Sequence, residues 1–412
     1  MLAQLRTRFE NSILGPAPSP TLDTLLSKCA EEGNVRILLA MKNAHPNAAG
    51  LVQGLIDAGH QVDLVVSVPS SQKSLQHVTG LEPVVAPYSR LSQLIWRKTP
   101  KRLQVLGAPR VTDIIRILRR TAPEVVAVKD LRTMIIMLIA LARIRRVTAV
   151  FLWDKPRYAA KWRMRSALAP IFLPRRKIHM GFFGEVGRPV PLGGALGTST
   201  LLPYPPPVVN AIAKRDVHRS RVRIVAIGSL DNRVKRMVWV SQAIQQKGLG
   251  KQVEITFVGL GDERSTAYGE IRAFEAAHGL PPARILLDVP HPELLRMLPN
   301  FDILAHPSLK EMFGAVISEA MAAGLAVLCS DRCGAKVCFE NEKSGLLFAS
   351  GSKEDFADKL YRLVTESALR ESIGAAASLR AAEDLSPAAW AVAFERIVAS
   401  GPESADGEYP QS

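Results

Sequence analysis

From residue 35 onward the chain switches repeatedly between short apolar runs rich in β-branched residues and segments with helical apolar spacing. VRILLA (35–40) precedes the helix-like NAAGLVQGLIDAG, stopped by its glycine, and then QVDLVVSV; TDIIRILRRTAP, EVVAVKD, TMIIMLIALARIRR and VTAVFLWD continue the theme. Strands joined through helices by connections this short pair in parallel with helices on the sheet faces, so the pattern predicts a parallel α/β fold. A proline-dense stretch, LLPYPPPVVNAIAKRD (201–216), interrupts the alternation as a stiff connector. Beyond it the pattern restarts with VRIVAIGS (222–229), RMVWVSQAIQQKG, VEITFVGLGD (253–262), YGEIRAFEAAHG, ARILLDV (283–289), HPELLRMLP and FDILAHPS (301–308). EMFGAVISEAMAAG, AVLCSD, GLLFA and KEDFADKLYRLVTE follow. SPAAWAVAFERIVAS, with a serine cap and a proline at its first helical position, adds a last helix.

A chain of 412 residues exceeds what one ordinary core serves. The expected division is 30–208 for a first doubly wound domain, 209–385 for a second, and 386–400 for a C-terminal helix that can pack back on the first. The apolar run MIIMLIALA (134–142) is about half of what a bilayer span requires, and the amino-terminal stretch lacks the apolar core and cleavage site of a signal peptide. Cys29, Cys329, Cys333 and Cys338 form no disulfide framework for a chain of this length, which fits a reducing, cytosolic setting. No histidine lies within the cluster of three and the CxxC pairs of structural zinc are missing, so no metal is expected there.

Charge divides the halves. Residues 1–200 carry 29 Lys and Arg against 12 Asp and Glu, or +17, whereas 201–412 carry 24 against 26, or −2. The excess concentrates in RKTPKR (97–102), RILRR (116–120), RIRR (143–146), KWRMR (161–165) and PRRK (174–177), with Trp96, Trp153 and Trp162 in the same stretch. Such clusters suit an anionic partner, and tryptophan beside Lys and Arg suits a membrane interface. No zinc-finger or RNA-binding signature accompanies the charge, so nucleic acid is not the expected partner.

In doubly wound sheets ligands sit beyond the carboxyl ends of the strands, where loops 228–235, 259–264, 289–293 and 306–314 should converge. Glu311 and Glu319 bracket an apolar segment there. With a helix running from Phe313 to Gly324, their spacing corresponds to a rise of ~12 Å, enough to grip separate hydroxyl-bearing parts of one elongated ligand. The amides of Met312 to Gly314 would face the helix mouth unpaired. Spacing alone leaves open a structural role, with Glu311 capping the helix and Glu319 meeting a buried Arg or Lys. The loop GSLDNRVKRM (228–237) places Arg233, Lys235 and Arg236 at an expected helix start, where the macrodipole disfavours cations and a bound anion would resolve the mismatch.

These residues resemble a known family. E-M-F-G-A-V-I-S-E-A-M-A-A-G-L-A-V is similar to the E-x7-E signature of the group-1 retaining glycosyltransferases. His306-Pro307-Ser308 occupies that family's position before the first glutamate, FVGLGDE resembles its F-x-G-x-G turn, and IGSL…KR its G-R-L…K-G loop. HPNAAGLVQGLIDAGHQVDLVV is similar to its opening glycine loop and G-H-x-V strand. The resemblance implies a GT-B fold, with two doubly wound Rossmann-like domains facing a central cleft. It further implies that Glu319 holds the ribose of a nucleotide-diphosphate-sugar, Glu311 a sugar hydroxyl, and Lys235 the diphosphate, with backbone near Val289 and Pro290 against the base. Phe313, Gly314, Ala315, Gly228, Ser229 and Gly50 fall at its other substrate-binding positions. Ser229 replaces the family arginine, leaving Arg233 to supply that charge, and Ala49-Gly50 replaces the double glycine. The strand-end histidine is missing from AVKDLRT, which leaves Lys129 and Asp130 there; Asp130 and Asp154 are acceptor-side candidates, with an ordinary strand-end or turn aspartate as the alternative for each. No metal or cofactor is implied. The expected activity is retaining sugar transfer, to a lipid-linked glycan at the cytoplasmic face of the plasma membrane or to a soluble acceptor; an inactive homologue or a nucleic-acid-binding protein would be the alternative class.

Overall fold

The computed structural model describes residues 34–41, 48–66, 81, 84–85, 111–129, 147–153, 176–181, 184–191, 198–207, 220–231 and 233–399. The chain divides into two compact units, one of Met1–Met180, Gly187–Leu202 and Pro387–Ser412, the other of Gly181–Val186 and Pro203–Ser386. In the first are β1 (Arg36–Met41), α1 (Ala49–Asp57), β2 (Gln61–Val66), β3 (Val84–Val85), α2 (Val111–Thr121), β4 (Val125–Lys129), β5 (Thr148–Trp153), β6 (Arg176–His179), β7 (Pro189–Pro191) and β8 (Thr198–Leu201). They form a sheet in the order β3-β2-β1-β4-β5-β6-β8-β7, in which β7 alone runs antiparallel to its neighbour. The central strands are apolar throughout because both sheet faces are covered: Ile37, Leu38, Leu39, Val126 and Val128 are all buried. Two prolines sit in β7, an edge strand whose outer side needs no donors.

The second unit begins with β9 (Val222–Ser229), α3 (Trp239–Gln246), β10 (Val253–Leu260), α4 (Thr266–Ala277), β11 (Arg284–Leu287), α5 (His291–Met297) and β12 (Ile303–His306). It continues with α6 (Ala315–Ala322), β13 (Ala326–Ser330), β14 (Leu346–Phe348), α7 (Lys353–Thr365) and α8 (Ser367–Asp384). Its six parallel strands run β11-β10-β9-β12-β13-β14. The direction of winding reverses between β9 and β12, so the crevice at their carboxyl ends is the place where this architecture receives ligands. Phe257, Phe348 and Phe356 are fully buried in the core below, with Phe348 and Phe356 edge to face at 5.1 Å.

The last helix, α9 (Pro387–Ala399), returns to the first unit and packs on α1. Gly54 permits this crossing, because a Cβ there would collide with the Pro387 carbonyl. Buried His60 accepts the Val35 amide at Nδ1 (3.3 Å) and places Nε2 2.9 Å from Glu395, and Arg176 Nε donates to the Ile397 carbonyl at 2.9 Å. Leaving the first unit, the chain enters the second at Pro203, six residues before the expected start at 209. The reason is packing: Pro203 to Pro207 are buried, and the Tyr204 ring lies against Phe313 at 5.0 Å.

The basic clusters fare unequally. Arg116, Arg119 and Arg120 of RILRR are exposed on α2, but in PRRK Lys177 is buried and Arg176 is committed to the Ile397 carbonyl, so these two add nothing to a solvated basic face. Burial pulls the Lys177 ammonium down to about 8. RKTPKR, RIRR, KWRMR, Trp96 and Trp162 lie outside the described residues, as do the expected helix TMIIMLIALARIRR and the side chain of Trp153. Among the described residues no helix is long and apolar enough to cross a membrane.

Candidate functional site

At the reversal point, β9 ends in Gly228 and Ser229 and the chain then makes a single 3-10 turn over Arg233–Lys235. The helix expected to carry Arg233, Lys235 and Arg236 at its start begins only at Trp239, after Arg236 adopts a left-handed φ of +50°. The three cations therefore precede the helix, and the expected conflict with its macrodipole does not arise. Hydrogen bonding across the crevice stitches this turn to the end of β12: the Val234 carbonyl accepts the Leu309 amide at 2.9 Å and the Ser308 hydroxyl at 3.5 Å. The Lys235 stem lies over Gly228, where a Cβ would stand 3.3 Å from Lys235 Cδ. Arg233 is exposed.

Glu311 lies on an extended segment bridged to Cys333 rather than on a helix. Its carbonyl accepts the Gly334 amide at 3.2 Å. Helix α6 starts at Ala315, two residues later than expected, because Gly314 takes φ +87° and ψ +60° at the cap. Only glycine fits there: a Cβ would stand 3.0 Å from both Cys333 Sγ and Glu311 Cγ. The two glutamates are thus not rungs of one helix, and the expected helical rise between them does not apply. Nor is the Met312 amide unpaired, since it donates to Glu311 Oε1 at 3.3 Å. Phe313 is buried against Tyr204, and its carbonyl accepts the Ala335 amide at 2.7 Å and the Cys333 thiol at 3.1 Å, so this residue anchors the turn. Cys329, Cys333 and Cys338 are buried free thiols; among the described residues no cluster of His, Cys, Asp and Glu has the makings of a metal site.

Lys235 Nζ donates to Glu311 Oε2, joining the β9 loop to the segment before α6. His306, the last residue of β12 and almost wholly buried, places Nε2 3.7 Å from the same oxygen. That separation is too long for a hydrogen bond, and Nε2 has no hydrogen-bond partner among the described residues, so the contact with Lys235 is the stronger of the two. Burial alone would push the Glu311 carboxyl up; the facing His306 ring and the Lys235 ammonium outweigh it and hold the carboxyl at about 2. Burial pulls the His306 imidazole below its ordinary range, and Lys235 adds to that. The result is a carboxylate held well below its ordinary range beside the Lys235 side chain, each about one-fifth exposed.

Glu319 lies on the second turn of α6, buried, with Oε1 accepting from His291 Nε2 at 2.9 Å. His291 opens α5 directly after Val289 and Pro290, which form the turn leaving β11. Burial lowers the imidazole, but the hydrogen bond and charge of Glu319 outweigh it and the net shift is upward. The structural alternative for the glutamates is therefore replaced in detail: Glu311 meets a lysine instead of capping a helix, and Glu319 meets a histidine instead of Arg or Lys.

The structure brings Gly228, Ser229, Lys235, Glu311, Phe313, Gly314, Ala315 and Glu319 into the second unit at the carboxyl side of its sheet, with Val289 and Pro290 after neighbouring β11. Gly50 belongs to the first unit, buried in the first turn of α1. Asp130 and Asp154 fall outside the described residues. The roles of His306 and His291 were not foreseen; the signals available were a histidine ending a central strand and one following Pro290. A cavity of about 620 Å³ lies elsewhere, at the amino ends of β9 to β11, lined by Arg221, Arg223, Val253, Glu254, Arg284 and Phe301 among others.

Residues 212–380 match the family of glycosyl transferases group 1. A D-inositol 3-phosphate glycosyltransferase of Corynebacterium aurimucosum is 37% identical over 116 residues, covering 28% of this chain and 27% of that protein. One from Jonesia denitrificans is 32% identical over 124 residues, covering 30% and 29%. The chain thus spans under a third of the length of the curated relatives it matches. Among solved structures, HepE of Anabaena in complex with UDP and glucose superposes with a TM-score of 0.63 at 17% identity, covering 88% of this chain and 98% of that one. Sucrose-phosphate synthase of Thermosynechococcus elongatus gives 0.61 at 16% identity, covering 87% and 97%. The fold is that of GT-B glycosyltransferases, and residues 212–380 are similar to the group 1 family.

Proposed function

We propose, from the likeness of residues 212–380 to group 1 glycosyl transferases, that the protein is a retaining glycosyltransferase that moves a sugar from a nucleotide-diphosphate-sugar to a hydroxyl acceptor. The observation that carries the reading is the charged cluster of Lys235, Glu311 and His306 where the winding of the second sheet reverses, with Glu319 nearby on α6. In this reading Glu319 holds the ribose, Glu311 a hydroxyl of the sugar and Lys235 the diphosphate, while backbone at Val289 and Pro290 borders the base. Arg233, exposed on the same turn as Lys235, stands in for the arginine that Ser229 replaces. The complexes of HepE with UDP and with UDP-glucose support a nucleotide-sugar donor by likeness.

The reaction breaks the bond between the anomeric carbon and the diphosphate oxygen, which departs with the electron pair. The acceptor hydroxyl attacks from the same face and gives its proton to the departing phosphate. Charge accumulates on the leaving diphosphate, so a preorganised ammonium aimed at it lowers the barrier most. Glu311 holds Lys235 in place until the diphosphate arrives, then turns its oxygens to the sugar. No step in this scheme uses a metal.

Two acceptors are supported by different observations. The +17 of residues 1–200 favours a lipid-linked glycan at an anionic membrane surface, with a role in polysaccharide or glycoconjugate synthesis. The likeness to D-inositol 3-phosphate glycosyltransferases favours a small soluble acceptor. Flotation with anionic and neutral vesicles separates them, since only the first predicts binding that depends on lipid charge. For the donor, a thermal-shift series with UDP, GDP, ADP and CDP tests the reading: one of them should raise the melting temperature well above the others, and a flat response refutes it.

A further inference from the structure

His291 and Glu319 come from separate helices, α5 and α6, and meet at 2.9 Å between Nε2 and Oε1. Glu319 is the more deeply set, its side chain 4% exposed against 19% for His291. A carboxylate at that depth is costly unless its oxygens are engaged, and the imidazole engages one of them. Oε2 has no hydrogen-bond partner among the described residues, nor has Nδ1 on the far side of the ring, which is itself buried. The ring's only polar tie is thus to Glu319, as expected of a group placed to hold that carboxylate.

We infer that His291 is a positioning residue for the nucleoside end of the donor: by donating from Nε2 to Oε1, it fixes the Glu319 carboxylate so that Oε2 is presented to a ribose hydroxyl. The inference rests on the proposed role of Glu319 toward the donor. A glutamate has three side-chain torsions, and one oxygen tied to a different helix removes most of that freedom before the ligand binds. The position of His291 also couples two functions, because the turn that would border the base leads directly into the ring that sets the ribose contact. Glu319 is the charged group that faces the ring; Asp288, Glu293 and Arg296 along its own segment are exposed. The imidazolium that Glu319 favours strengthens the tie, and loss of its proton at higher pH weakens it.

The test compares binding of UDP and of 2′,3′-dideoxy-UDP to the full chain by calorimetry, with ADP and GDP pairs run alongside. Wild type should bind the ribose form about tenfold more tightly, the value of a hydrogen bond to a charged group. His291→Ala should bind the ribose form about tenfold less well and no longer distinguish the two sugars. His291→Gln, whose amide can donate to the same oxygen, should keep the preference. The wild-type preference should fall as pH rises past the raised imidazole value, while that of His291→Gln stays level. Full discrimination in His291→Ala, or the same pH profile in His291→Gln as in wild type, overturns the inference. Should His291→Ala fail to fold, the pH comparison alone decides. Tight nucleotide binding by wild type without any ribose preference overturns the Glu319 assignment and this inference with it, whereas failure of every nucleotide to bind refutes the donor reading itself.

Discussion

The carboxyl and amino ends of the second sheet use the same strands and treat charge in opposite ways. At the carboxyl end Lys235 and Glu311 are each about one-fifth exposed, His306 is buried behind them, and the Glu311 carboxyl is held at about 2. At the amino end Arg221 and Glu254 are both more than half exposed and 3.9 Å apart, and Arg223 reaches Glu254 only at 3.6 Å. The cavity of about 620 Å³ borders these solvated ions. Mutual burial of opposite charges at a topological switch point marks the carboxyl edge as the candidate site, a mark the solvated ions of the amino edge lack.

The strongest way to break this contrast is Glu311→Gln, which should lower sugar transfer by about 10²- to 10³-fold while circular dichroism stays native. Near-normal turnover would reduce the carboxyl-edge cluster to scaffolding. Lys235→Met comes next: loss of a charge-assisted contact to the diphosphate should weaken nucleoside-diphosphate binding about 10- to 100-fold by calorimetry. Acid sharpens the comparison. Because the folded value of Glu311 lies below its ordinary 4.5, the stability it contributes is complete above pH 4.5 and disappears as pH falls toward about 2. Urea titrations across that window should show a loss of ~1–3 kcal/mol in wild type that is missing in Glu311→Gln, after allowance for partial exposure. Gly314→Ala should cost ~1–2 kcal/mol through its left-handed backbone and displace Glu311. Arg221→Gln, at the other edge, should change stability by no more than about 0.5 kcal/mol and leave nucleotide binding untouched.

Much of the scaffold was legible in the sequence because a buried parallel strand has a simple signature. Runs such as VRIVAIGS and FDILAHPS are apolar on both faces, and β9 and β12 form where they stand. The pairing of Glu311 with Lys235, 76 residues away, was not legible, since it depends on two loops meeting beyond adjacent strand ends. The helix starts were misjudged for local reasons. Met312 and Phe313 have no helix-breaking character of their own; the left-handed Gly314 decides, and a glycine in sequence does not disclose its φ. Likewise RVKRM reads as an amphipathic helix start, yet the positive φ of Arg236 and the bonds from Leu309 and Ser308 to Val234 hold it as a separate turn. His306 was marked only by its place before the first glutamate and His291 not at all, because an isolated His gives no periodic signal, and only the fold shows that each stands beside one of the two glutamates.

The contact between Tyr204 and Phe313 bears on how this molecule can be divided. Phe313 anchors the bend that presents Glu311, and half of its aromatic setting comes from a residue that sequence would assign to the other half of the chain. A catalytic fragment cut at 209 would expose that ring and loosen the bend beneath the carboxylate, whereas one starting at Pro203 would carry its own keystone.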